Sequence, residues 1–199
     1  MVTKNLAREE MRKTQILEAA YEVIALKGCS DFTLEDVANT AGLSKGGILH
    51  YFKTKEDILV SLLVMIYTAV EDIITKRAER YRTPERKLKA IIIAYIVAAK
   101  RNPAIYPVMI HFTAQMTINE RIKDINNKIT ELMFNEIKKV IEIGIKKGVF
   151  NNVNSSNTAY VITSMIAVIA IQWTFNKSQY NIDQMTRTCL AMIMAYLKK

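Results

Sequence analysis

Residues 33–55 read TLEDVANTAGLSKGGILHYFKTK, and this stretch sets the expectation for the fold. Thr33-Leu34-Glu35-Asp36 is a helix-capping pattern, in which the Thr33 hydroxyl accepts from the backbone N–H near Asp36. It predicts a short helix to about Thr40. Ala41-Gly42-Leu43 reads as a turn, and a second short helix starts near Ser44. Two short helices joined by a tight glycine-containing turn are what a helix-turn-helix requires. Ala38 is small where the two helices must approach closely, and Gly42 supplies the left-handed backbone of the turn. Val37, Leu43, Ile48 and Phe52 form an apolar seam between them. Gly46 and Gly47 lie inside the second helix, where each costs about 1 kcal/mol relative to Ala. Close approach of that backbone to a nucleic-acid groove gives them a reason. Lys45 projects from the N-terminal turn, where a recognition helix touches base edges. Tyr51, Lys53 and Lys55 lie at its far end, where phenol and ammonium groups can hold phosphates.

Working outward, Ile16, Leu17, Ala20, Tyr21 and Ile24 recur at three- and four-residue spacing and predict a helix over 8–27. Gly28 follows as its natural end. Thr54-Lys55-Glu56-Asp57 repeats the capping pattern and opens a long helix to about Arg80. Pro84 suits the first turn of the next helix, which runs to about Arg101 and is broken by Asn102-Pro103. Pro107 limits the helix between there and Gln115. A long helix is expected over 117–147, ending at Gly148, then a polar loop over 151–157 and final helices over 156–176 and 182–198. The fold class is therefore all-α, with about nine helices. A three-helix helix-turn-helix domain spans 1–56 and a larger helical domain spans 57–199, with no flexible linker between them. Residues 155–176 carry no charge over about the length of a membrane span. Their Ser, Thr, Asn and Gln favour instead a helix buried on several faces, and no membrane partner is expected.

The formal charge of +9 invites a nucleic-acid reading from net charge, but its distribution argues otherwise. Residues 1–57 carry eight Lys/Arg and nine Asp/Glu, and residues 58–199 carry twenty and ten. The excess lies outside the segment that carries the motif. The N-terminus has no apolar core of a secretory signal. Cys29 and Cys189 are far apart and suggest free thiols rather than a disulfide framework, so a cytoplasmic location is expected. With only His50 and His111 and no Cys or His cluster, no metal site is expected. There is also no nucleophile–base constellation and no phosphate-cradling glycine loop. The reading is of a non-enzyme without a cofactor.

Thr33, Ala38, Ala41-Gly42, Ser44-Lys45-Gly46, Tyr51-Phe52 and Lys55, with the run from Ile16 to Gly28 before them, resemble the N-terminal motif of the TetR family of transcriptional regulators. The match is dense over about residues 8–60. The resemblance implies that Thr33 contacts phosphate at the start of the second helix. It places Ser44, Lys45, Gly46 and Gly47 in the major groove, with His50, Tyr51 and Lys55 gripping the backbone or nearby bases. One position departs: the family usually has Tyr where this chain has Leu49, which cannot donate to phosphate. GILHYF, Asn102-Pro103 and Gln172-Trp173 resemble the betaine-regulator branch, more faintly.

The resemblance implies a homodimer through the last two helices. Tyr160, Ile162, Met165, Ile166 and Ile169 supply apolar surface on the first, and Met185, Cys189, Met192 and Tyr196 on the second. Tyr95, Met109, His111, Phe112, Gln115, Met116 and Trp173 form an aromatic and Met-rich candidate ligand set with few polar groups, suited to an apolar or flat effector. The functional expectation is a homodimeric repressor released from a palindromic double-stranded DNA operator by a small, largely apolar ligand. The alternative is an architectural or cell-division DNA-binding factor on the same fold.

Overall fold

The computed structural model describes residues 2–102, 105–116 and 119–198. Among these there are nine helices and no strand: α1 (Val2–Asp31), α2 (Leu34–Ala41), α3 (Lys45–Tyr51), α4 (Lys55–Glu79), α5 (Pro84–Arg101), α6 (Ile105–Gln115), α7 (Glu120–Lys146), α8 (Ser155–Phe175) and α9 (Ile182–Leu197). They form two compact units. The first takes the described residues of 1–66 and 107–123, and the second those of 67–106 and 124–199.

In the first unit α1 packs on α2 and α2 on α3. Ile16, Leu17, Ala20 and Ile24 are buried along the α1 stripe, with Phe32, Val37, Ile48 and Phe52 beneath the turn. Each such large side chain contributes about 1.5–3 kcal/mol by leaving water. The α1 helix is longer than its apolar stripe predicts. It begins at Val2 rather than near residue 8, and further along its polar face Glu9 and Lys13 pair at 2.8 Å. Gly28, at φ 85°, breaks it as expected, but a further helical turn continues to Asp31. The α6 helix runs from Ile105 to Gln115, with Pro107 in its first turn. Proline is tolerated there because the first four N–H groups of a helix have no intrahelical partner. Pro103 and residues 117–118, assigned above to a helix break and to the start of the long helix, lie outside the described residues.

Both Thr caps form. Thr33 accepts from Asp36 N at 3.1 Å, and Asp36 Oδ2 accepts from Thr33 N at 3.0 Å. Thr54 and Asp57 repeat the exchange at 3.0 Å each way. The first turn of α4 is also tied to the residues before and within α7. Arg121 pairs with Asp57 at 2.9 Å, and Asn119 Nδ2 donates to Glu56 Oε1 at 3.1 Å.

In the second unit α5 packs against α8 and α9, which pack on each other. Leu88, Ile91, Ile92, Ile162, Ile166 and Ile193 fill that core. Gly148, at φ 69°, ends α7. Asn151 then caps the far end of α9, donating from Nδ2 to Tyr196 O and Lys198 O. The expected dimer stripe divides here. Ile162, Ile166, Ile169 and Cys189 are buried within the unit, because these faces of α8 and α9 meet α5 and each other, so they are not surface for a partner. Tyr160, Met192 and Tyr196 are each more than half exposed, and Val161 and Val168 join them. By length and composition α4 and α8 are each apolar enough to cross a membrane; both carry buried faces, with Ile58, Leu62 and Leu63 on α4 and Ile162, Ile166 and Ala170 on α8.

Candidate nucleic-acid interface

The α3 helix is held from behind and left open in front. Ile48 is fully buried and Phe52 nearly so. Gly42 turns the chain at φ 64°, and its N–H meets the carbonyls that end α2. Gln15 of α1 donates from Nε2 to Ala41 O at 2.8 Å, tying the same turn to α1. Gln15 is a positioning residue that the sequence does not single out, since it lies off the apolar stripe and carries no charge.

On the outward side, Ser44 caps α3 by accepting from Gly47 N at 3.1 Å. A methyl group built on Gly46 would meet nothing nearer than Ser44 Oγ at 3.9 Å, and one on Gly47 nothing nearer than that atom at 3.4 Å. Among the described residues, no internal packing therefore demands glycine at either position. Lys45 is exposed, with only a loose 3.9 Å approach to the exposed Glu35. His50 and Tyr51 stack edge-to-face with ring centroids 4.9 Å apart. Lys53 is exposed and donates to Leu49 O at 2.9 Å. Lys55 is turned inward: its Nζ donates to Ser30 O at 3.0 Å and stands 4.5 Å from the centre of the Phe32 ring. Thr33 is exposed, but its hydroxyl is engaged in the α2 cap.

The seven candidate ligand residues fall in both units. Met109, His111, Phe112, Gln115 and Met116 lie on or just after α6 in the first, while Tyr95 and Trp173 lie in the second. His111, Phe112 and Gln115 line a cavity of about 380 Å³, together with Cys29, Lys55 and Leu59. Gln115 Nε2 and His111 Nε2 are 2.9 Å apart. Burial pushes the Cys29 thiol up to about 11, against a smaller downward pull from Lys55. Tyr95 lines a much smaller cavity of about 20 Å³ with Tyr67, Glu71, Leu132 and Glu136. Burial raises the Tyr95 phenol, and Glu71 and Glu136 raise it further. These two acids are absent from the sequence-derived set, because spacing along α4 and α7 does not place them beside α5. Trp173 is not among the residues that line either cavity, and Lys177 Nζ lies 5.1 Å from its ring centre. Among the described residues no group of three metal-ligating side chains gathers.

An N-terminal helix-turn-helix with an open recognition helix, followed by a larger helical unit, defines a DNA-binding regulator. The comparisons give the same class. Residues 16–62 match the model of bacterial regulatory proteins of the tetR family, and residues 84–198 match that of the BetI-type transcriptional repressor C-terminal domain. The chain belongs to the TetR family and carries a BetI-type C-terminal domain; it is a transcriptional regulator. It is 26% identical over 191 residues to the fatty acid metabolism regulator protein of Bacillus subtilis, covering 91% of this chain and 93% of that one. A putative transcriptional regulator from Saccharomonospora viridis, solved in complex with choline, superposes with a TM-score of 0.86 at 21% identity, covering 96% of this chain and 99% of that one. The regulator FadR from Bacillus subtilis, solved in complex with stearoyl-CoA, gives 0.78 at 23% identity, over 90% and 96% of the chains.

Proposed function

We propose that the chain is a cytoplasmic, homodimeric repressor that leaves a palindromic DNA operator when a small, largely apolar ligand binds. Residues 1–56 are the DNA-binding domain in this reading, and residues 57–199 the ligand-binding and dimerisation domain. The observation that carries it is the outer flank of α3 at Gly46 and Gly47, where among the described residues an added methyl group would meet no more than the neighbouring Ser44 and Leu43 in ordinary contact. That flank lets the backbone approach the floor of a major groove. Ser44, Lys45, Gly46 and Gly47 enter the groove, and Thr33, His50, Tyr51 and Lys55 hold its phosphate walls.

A regulator that releases its site needs an effector. Stearoyl-CoA and choline, each present in the structure of a structurally similar regulator, support a small-molecule ligand. His111, Phe112 and Gln115, at the larger of the two cavities just described, are the favoured contacts, with Met109 and Met116 beside them on the same segment. Tyr95 and Trp173 are the remaining candidates.

A two-fold dimer presents two equivalent recognition helices, so the half-sites should lie roughly 34–36 Å apart or at a wider multiple. Footprinting upstream of the chain's own gene and its neighbours is expected to show one such symmetric site. Full-affinity binding to a single asymmetric half-site would remove the dimeric part of this reading. Many scattered sites without a promoter nearby would favour an architectural role.

A further inference from the structure

The cavity behind Lys55 lies between the end of α1, the first turns of α4 and the C-terminal half of α6, all within the first unit. Its volume of about 380 Å³ is in the range of small-molecule sites. Its lining has two halves. Leu59 and Phe112 are buried and apolar, and Cys29 adds a neutral thiol. Opposite in chemistry are Lys55, Glu56, His111 and Gln115. The Glu56 carboxylate already accepts from Asn119. The Lys55 ammonium has three protons. One goes to Ser30 O and the Phe32 ring face takes the cation's side, which leaves donor capacity for an added acceptor.

We infer that this cavity binds a small organic carboxylate, its apolar part against Leu59 and Phe112 and its carboxylate on Lys55. The consequence for regulation rests on the reading above, in which Lys55 also serves a DNA phosphate. Ligand and DNA then draw one ammonium in opposite directions. The inward position, seen here on Ser30 O, is the one a bound carboxylate reinforces. Release needs no more than this competition to weaken DNA binding.

The test uses the full-length protein with benzoate and its neutral isostere benzamide, titrated by calorimetry and followed by NMR of the His111 ring. Benzoate should bind at least about tenfold more tightly than benzamide, a difference of about 1.4 kcal/mol. It should shift the His111 signals and leave the indole of Trp173, the only tryptophan, unchanged. Lys55→Met should abolish the preference for benzoate, and Lys55→Arg should keep it. Saturating benzoate should weaken operator binding about tenfold, and operator DNA should weaken benzoate binding by the same factor. Equal affinity for the two compounds, no binding of either, or shifts at Trp173 rather than His111 would overturn the site, and these outcomes need no variant to fold. If benzoate binds through Lys55 but leaves operator affinity unchanged, the competition is overturned. Operator binding without benzoate is measured separately, so loss of the regulator reading is distinguishable from loss of the carboxylate site.

Discussion

Gly47 and Gly144 are both helical, and an added methyl group meets different surroundings at each. At Gly47 it meets the Ser44 hydroxyl in ordinary van der Waals contact. At Gly144 it collides with the ring of Phe150, which is 1% exposed and has nowhere to go. Gly144→Ala should therefore cost about 1–3 kcal/mol, as overpacking does, visible as a lower urea midpoint. Gly47→Val should leave the midpoint nearly unchanged but abolish specific operator binding in a gel-shift assay. Unchanged operator affinity in folded Gly47→Val would show that this flank does not face DNA. The lysines divide in the same way. Lys45 is exposed on the first turn of α3, and its loss should relax sequence preference by about 1–3 kcal/mol at the base it reads. Lys55→Ala should weaken all sequences alike and shallow the salt slope by about one unit. Equal losses on operator and random DNA for both variants would remove the assignment of Lys45 to bases.

At the scale of the element, the two Thr-x-x-Asp caps determine where α2 and α4 begin. Thr54→Ala removes the acceptor for Asp57 N and should cost about 1 kcal/mol. Both cap aspartates are held below the usual carboxylate range. For Asp36 the chief cause is the Lys27 ammonium, with Thr33 adding to it. For Asp57 burial pulls upward, but the Arg121 guanidinium and the Thr54 donors outweigh it. A carboxylate depressed in the folded state stabilises above its unfolded pKa of about 3.9, and that stability is lost as pH falls through the lower folded value. The urea midpoint should thus fall on the acid side of about pH 4. The double variant Asp36→Asn, Asp57→Asn should start lower and show a flatter acid limb, and an unchanged limb would place the acid sensitivity elsewhere. Lys55, at the first turn of α4, is the residue whose helix position was legible and whose direction was not. A lysine at a helix start in a basic strip reads as solvent-facing, yet the Ser30 carbonyl and the Phe32 ring draw it inward.

At the scale of the whole molecule, Val161, Met192 and Tyr196 line one groove on α8 and α9, and with the exposed Tyr160 and Val168 they are the apolar residues proposed for self-association. A charge buried there without a partner costs several kcal/mol. Met192→Asp should therefore raise the dimer dissociation constant by at least about 100-fold in sedimentation experiments, and an unaltered dimer would place the interface elsewhere. The sequence alone was enough for the all-α class, the helix-turn-helix and most helix ends. Those features rest on local chemistry: Thr–Asp caps, glycine at positive φ, and apolar residues at three- and four-residue spacing. It could not sort the apolar residues of α8 and α9 into inward and outward ones, because both faces carry the same residue types and only packing against α5 decides between them. Nor could it group the candidate ligand residues. Helical spacing relates side chains within one helix, whereas the meeting of His111 and Phe112 with Lys55 and Cys29, and of Tyr95 with Glu71 and Glu136, depends on how separate helices pack together.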